Sequence, residues 1–230
     1  MRQSVWPLLV LFVALALAGL SAFKLEQGRA GLVTSKMSVD KTPATIWRLP
    51  GEASGPVVVI AHGFAGSQQL MLGFAQTLAR AGYITVAYDL KGHGRNAVPM
   101  SGDVTSIDGT TRLLVEELAR VIDASLALPG ADGLAVLGHS MATDIIIRHA
   151  IADPRVQATV AVSMFSSAVT GDAPSNLLII NGEWEGRLVD EAARVIALTD
   201  PSAGFDQTLG DLANRTGRRA VNAPNVEHVG

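Results

Sequence analysis

Ser140 lies in the stretch Leu134-Ala-Val-Leu-Gly138-His-Ser140-Met-Ala142. The aliphatic run before it reads as a buried strand, and Ile145, Ile146, Ile147, Ala150 and Ile151 after it fall at helical spacing. A serine at a strand-to-helix corner has its hydroxyl thrust out of the sheet edge, provided small residues let the chain reverse there. The Met141 amide then stands at a helix N-terminus, placed to stabilise an oxyanion. A serine hydroxyl is a poor nucleophile until a base takes its proton. With an imidazole for that base and a carboxylate to fix its tautomer, the chemistry is acyl transfer through an acyl-serine. The plain alternative for Gly-x-Ser is a tight turn in which serine caps a helix.

The elements that must position such a set form an alternating pattern. Pro56–Ala61, Ile84–Tyr88, Leu134–Gly138, Val156–Met164 and Leu177–Ile180 read as buried strands, with a last short strand within Arg218–Asn225. Between them, Gln68–Ala81 predicts a helix with Leu70, Phe74 and Leu78 on its buried face. Thr111–Leu128 predicts another, facing inward through Leu114, Leu118, Val121 and Ile122, and Val189–Leu198 a third. Continuous apolar strands alternating with amphipathic helices imply an α/β fold, a mostly parallel sheet with helices on both faces. Chemistry in such sheets sits at the carboxyl ends of the strands. Two half-buried strands, Leu32–Val39 and Ala44–Leu49, precede this region around a turn at Asp40–Pro43.

The chain has 230 residues, 48% hydrophobic and 17% charged, with formal net charge −3 and no cysteine. After its first residues this is one domain of ordinary size. Disulfides, cysteine zinc sites and thiol nucleophiles are excluded, and the slight negative charge gives no reason to expect nucleic acid. Residues 5–23 carry no charge and are mostly Leu, Val, Ala and Phe, enough to cross a bilayer core as a helix. Residues 1–23 are therefore expected to be a signal peptide or a retained membrane anchor, with the domain in 24–230. Arg2 on one side and Lys24 and Arg29 on the other leave the orientation open; the expectation is a domain outside the cytoplasm, anchored or exported.

Each strand end carries candidates. The first ends in His62-Gly63-Phe64, a turn that can offer the Phe64 amide as the second oxyanion donor beside Met141. The next ends in Asp89-Leu-Lys-Gly92-His93-Gly94, a loop that shapes the way in. Asn181-Gly-Glu183-Trp-Glu185 offers two carboxylates, and Asn225-Val-Glu-His228 a histidine after them. His62 is expected to pack and bond to backbone, His139 to point away from the nucleophile, and His149 to be structural or exposed.

From Pro56 onward the sequence resembles the α/β-hydrolase superfamily, on His62-Gly-Phe64, Asp89-x-x-Gly-His-Gly94, Gly138-His-Ser-Met-Ala142, the acid strand and the terminal histidine. The departure is Ala142 where the motif has glycine. The resemblance implies the triad order Ser140, Glu185, His228; the family's glycine-to-acid spacing from Gly182 favours Glu185, with Glu183 the alternative. It implies a cap-less serine hydrolase acting on a small-molecule acyl substrate, a carboxylic ester before a thioester or amide, with no metal or organic cofactor. An acyltransferase or peptidase with the same triad is the rival enzyme, and a non-catalytic hydrolase-fold binding module the rival of another kind. Ser166–Asn176 is too short a connection for a helical cap. The family's final helix after the histidine loop has no counterpart before Gly230, so the natural chain is expected to continue.

Overall fold

Valines and isoleucines buried on both sides make the central strands of an eight-stranded sheet, seen in a computed structural model that describes residues 5–51 and 54–228. The strands are β1 (Val33–Val39), β2 (Thr42–Arg48), β3 (Gly55–Ala61), β4 (Ile84–Tyr88), β5 (Ala131–His139), β6 (Val156–Val162), β7 (Leu177–Gly182) and β8 (Arg218–Ala223). Their order is β1-β2-β4-β3-β5-β6-β7-β8. The run from β4 to β8 is parallel throughout, and β1 and β2 join it as an antiparallel pair. This is the doubly covered α/β sheet that the alternating pattern predicts.

Helices cover the faces unequally. α2 (Leu72–Arg80) lies on one, with Ala75 and Ala79 against Val58, Ile60, Ala87 and Leu137. α3 (Arg112–Leu126), α4 (Met141–Ala152) and α5 (Gly186–Thr199) lie on the other. The segment expected to be one helix from Gln68 instead begins as a 3₁₀ turn, Gln68–Met71. Three residues per turn rotates the register against a 3.6-residue template. Met71, Ala75 and Ala79 therefore face the sheet, and Leu70, expected in the core, is 59% exposed. Asp89 locks this turn, accepting from the Gln68 amide at 2.8 Å and its side-chain nitrogen at 3.0 Å.

α1 (Trp6–Arg29) continues past the apolar run through Lys24, Glu26 and Arg29, so the boundary expected at residue 23 falls inside a helix. Its mean hydropathy reaches 2.4 over a membrane-length window, and none of its residues is buried. Residues 229 and 230 lie outside the described residues, as do residues 1–4, 52 and 53.

Asp153 fixes the far end of α4. It accepts from Arg155 through the amide at 3.0 Å and the guanidinium at 2.7–3.0 Å, and pairs with His149 at 3.2 Å. The Arg155 guanidinium holds the Asp153 carboxyl down at about 2, against an ordinary 3.8. A depressed carboxylate contributes stability that is present above its unfolded value and lost as pH falls through the folded one. Arg155 is half exposed, which discounts the pair to about 1–2 kcal/mol. Asp153→Asn should therefore cost that amount in urea unfolding at pH 7, and the penalty should shrink between pH 4 and pH 2. A penalty independent of pH would assign the effect to geometry instead of charge.

Candidate active site

At the end of β5 the chain has no room to spare. A Cβ at Gly138 would meet the Ala142 carbonyl at 2.8 Å, so only glycine fits. Ala142 is fully buried in the core under α4, which accommodates the methyl group where the motif has glycine. Between them Ser140 adopts φ 53° and ψ −122°, a strained conformation for a residue with a Cβ. Its hydroxyl makes no capping bond to α4, so the turn-and-cap alternative does not describe it. A Cβ at Gly63 would meet Ser140 Cβ at 2.9 Å and His139 Nδ1 at 3.0 Å. The turn after β3 thus rests on the elbow, and Phe64, Met141 and Ser140 line one cavity. Met141 opens α4, where helical amides lack partners within the helix.

The sequence-predicted residues Ser140, Glu185 and His228 come together. His228 Nε2 stands 2.8 Å from Ser140 Oγ, and its Nδ1 donates to Glu185 Oε1 at 2.6 Å. With Nδ1 donating, Nε2 is left to accept the serine proton. Glu185 is buried and also accepts from the Gly182 amide at 2.6 Å and Ser163 Oγ at 3.0 Å. Burial pushes its carboxyl up, but Gly182, His228 and Ser163 together outweigh that and hold it below the ordinary value. Glu183, the alternative acid, is exposed and accepts from the Asn225 amide at 2.9 Å. It holds the backbone of the histidine loop, and Glu185 holds the imidazole.

That loop is pinned from two further sides. A Cβ at Gly182 would collide with the Val226 carbonyl, so β7 and the loop approach as closely as backbones can. His139, expected to point away from the nucleophile, does leave its hydroxyl alone but donates from Nε2 to the His228 carbonyl at 2.9 Å. Burial lowers its pKa, which favours the neutral ring. The period-2 alternation of β5 puts it on the α2 face, and no sequence signal ties it to a residue at the other end of the chain.

The remaining histidines lie outside the hydrogen-bond chain of Ser140, His228 and Glu185. His62 donates from Nδ1 to the Gly63 carbonyl at 2.7 Å and accepts at Nε2 from the Leu90 amide at 3.1 Å, joining two strand-end loops. His93 sits edge-on to His62 and Phe64. His149 is buried beside Asp153. Among the described residues no cluster of His, Cys, Asp and Glu could hold a metal ion.

A cavity of about 680 Å³ opens on Ser140 and His228, walled by Met100, Val104, Ile107, Leu114, Ile145 and Phe165. The loop between β4 and α3 supplies the first three, and sequence alone gives no sign of them because isolated apolar residues in a Gly- and Asp-rich stretch carry no periodicity. The connection from β6 to β7 contains no helix. Because His139 grips the loop through one hydrogen bond, worth about 1 kcal/mol, His139→Ala should speed amide exchange at residues 225–228 while shifting global stability little. Unchanged exchange there would show that Gly182 and Glu183 suffice.

The family model for serine aminopeptidases of the S33 type matches residues 52–202, a stretch that contains Ser140 and both glutamates and stops short of His228. RutD of Cronobacter turicensis, named as a carbamate hydrolase, is 30% identical over 152 residues, 64% of this chain and 47% of that protein. The chain thus spans about half the length of that relative. Among solved structures, a bacterial membrane phospholipase A is similar at TM-score 0.46 and 25% identity, over 67% of this chain and 50% of its own. An epoxide hydrolase mutant from Vigna radiata is similar at TM-score 0.46 and 24% identity, over 60% and 40%.

Proposed function

The chain belongs to the serine aminopeptidase S33 family of the α/β-hydrolases, and from that premise we propose that it is a serine hydrolase cleaving carboxylic esters through an acyl-enzyme on Ser140. The observation that carries this reading is the hydrogen-bond chain from Ser140 Oγ through His228 to Glu185, at 2.8 and 2.6 Å. His228 Nε2 takes the hydroxyl proton as Ser140 attacks the acyl carbon. The amides of Phe64 and Met141 receive the oxyanion. The tetrahedral intermediate collapses as His228 passes the proton to the departing alcohol, and water repeats the sequence to free the acid. Glu185 stays ionised and stabilises the imidazolium. This chemistry asks for no cofactor. α1 is read as a signal anchor that holds the domain at a membrane, outside the cytoplasm.

A peptidase or amidase with the same residues is the second reading, favoured by the name of the family. An aminopeptidase needs a carboxylate for the substrate's free amine. Asp144, which lines the large cavity, is already taken by Arg148 at 2.8 Å and Ser166 at 2.6 Å. The apolar walls suit an acyl chain instead.

A fluorophosphonate probe should label the wild-type chain at Ser140, and Ser140→Ala should abolish both labelling and turnover of p-nitrophenyl butyrate in a folded protein. A binding module with the same fold would not be labelled. Glu185→Gln should lower kcat by roughly 10²–10⁴-fold, by analogy with replacement of a triad acid, and Glu183→Gln should be mild; the reverse result would transfer the role. Faster cleavage of alanine p-nitroanilide than of p-nitrophenyl butyrate would favour the peptidase.

A further inference from the structure

The foot and the mouth of the sheet lie at opposite ends, and the apolar helix is fastened to the foot. Thr34, Trp47, Thr85, Val58 and Ala135 form one row across the sheet. Ala30, Gly31 and Leu32 join α1 to β1 just below that row. Ser140 lies five residues further along β5 than Ala135, about 17 Å at 3.3 Å per residue. The helix end is held where it is. The Arg80 guanidinium, at the close of α2, donates to the Gly28 carbonyl at 2.5 Å, and Gly28 lies against the Gln76 side chain. α2 runs down the sheet, so its last turn is also at the foot. No side chain of α1 is buried against the domain.

We propose that, with α1 in a bilayer, Ser140 opens away from that bilayer, so that the enzyme draws its acyl substrate from the aqueous side and not from the lipids that hold it. This rests on the reading of α1 as an anchor and of the site as a serine hydrolase. Phe64, Val104, Phe165 and Trp184 are exposed at the mouth, at 61–70%, and such a rim is the kind of surface that could enter lipid. For it to reach the anchoring bilayer the domain would have to turn over. The start of β1 would then stand at least about 17 Å from the surface, and the linker from Ala30 to Leu32 reaches about 10 Å fully extended. Closing the rest of the gap would pull the end of α1 off the foot and break the hydrogen bond from Arg80 to the Gly28 carbonyl. The exposed rim then faces the aqueous side, where Phe64, Val104 and Phe165 line the cavity that holds Ser140.

The chain has no cysteine, so single labels are clean. Asp132→Cys places one at the foot, and Lys41→Cys places one at the β1–β2 hairpin, level with the mouth; both positions are exposed. In phosphatidylcholine–phosphatidylglycerol vesicles carrying full-length protein and nitroxide headgroups, a fluorophore on the Asp132→Cys variant should be quenched several-fold more than one on the Lys41→Cys variant. A fluorogenic lipid ester should be cleaved no faster in the protein's own vesicles than in separate protein-free ones, while soluble p-nitrophenyl butyrate is turned over. Stronger quenching at position 41, or a tenfold preference for the protein's own vesicles, would overturn the orientation. Protein that fails to float with vesicles would overturn the anchor reading and this inference with it. Floating protein that cleaves no ester would overturn the hydrolase reading and the substrate claim.

Discussion

The tight reversal at Ser140 is the constraint on which the rest of the structure depends. Gly138 must be glycine because the Ala142 carbonyl occupies the space of a side chain. The serine between them holds a positive φ that costs on the order of 1–3 kcal/mol. That cost is met by burial on both sides. β5 is paired to β3 and β6 along its length, and α4 presses Ile145, Ile146 and Ile147 into the core. The Ser140 amide donates to the Val162 carbonyl at 2.9 Å, so the corner is stitched to the next strand. Strain of this kind persists only where packing over-determines it. Ala65 and Ser163, at two neighbouring strand ends, share the positive φ.

A second constraint is the buried carboxylate of Glu185. A charge removed from water must be paired or hydrogen-bonded. The donors that satisfy it come from the end of β7, the end of β6 and the histidine loop. Satisfying the charge therefore brings these elements together, and the imidazole is positioned as one of the donors. Gly182, His139 and Glu183 then fix the loop's backbone. Position and electrostatics have the same origin here: the contacts that keep Glu185 ionised also aim His228 at Ser140.

Apolar surface is distributed in two unlike ways. In the domain it is turned inward, with Ala75 and Ala79 letting α2 approach the sheet closely. In α1 it faces every direction and none is buried. A helix apolar all round has no single face to dock on a sheet, and this separates α1 from the domain it precedes.

The sequence by itself determined the alternation of strands and helices, the strand-to-helix corner at Ser140, and the chain order of serine, carboxylates and histidine, because these depend on local periodicity and on residue types at short spacing. It also marked a charge-free apolar run over residues 5–23, which lies in a helix that the structure continues to Arg29. Tertiary structure decided what spacing could not. Glu183 and Glu185 are two residues apart on one turn; the spacing from Gly182 favoured Glu185 without excluding Glu183, and the placement of the histidine loop sets Glu185 against the imidazole and Glu183 on the Asn225 amide. Leu70 and Met71 exchange roles because a 3₁₀ turn shifts the register before α2. His139 meets His228, and Met100 meets the Ser140 cavity, across separations that no local pattern encodes. Periodicity reports which side of an element faces inward; what it faces there depends on how the elements pack.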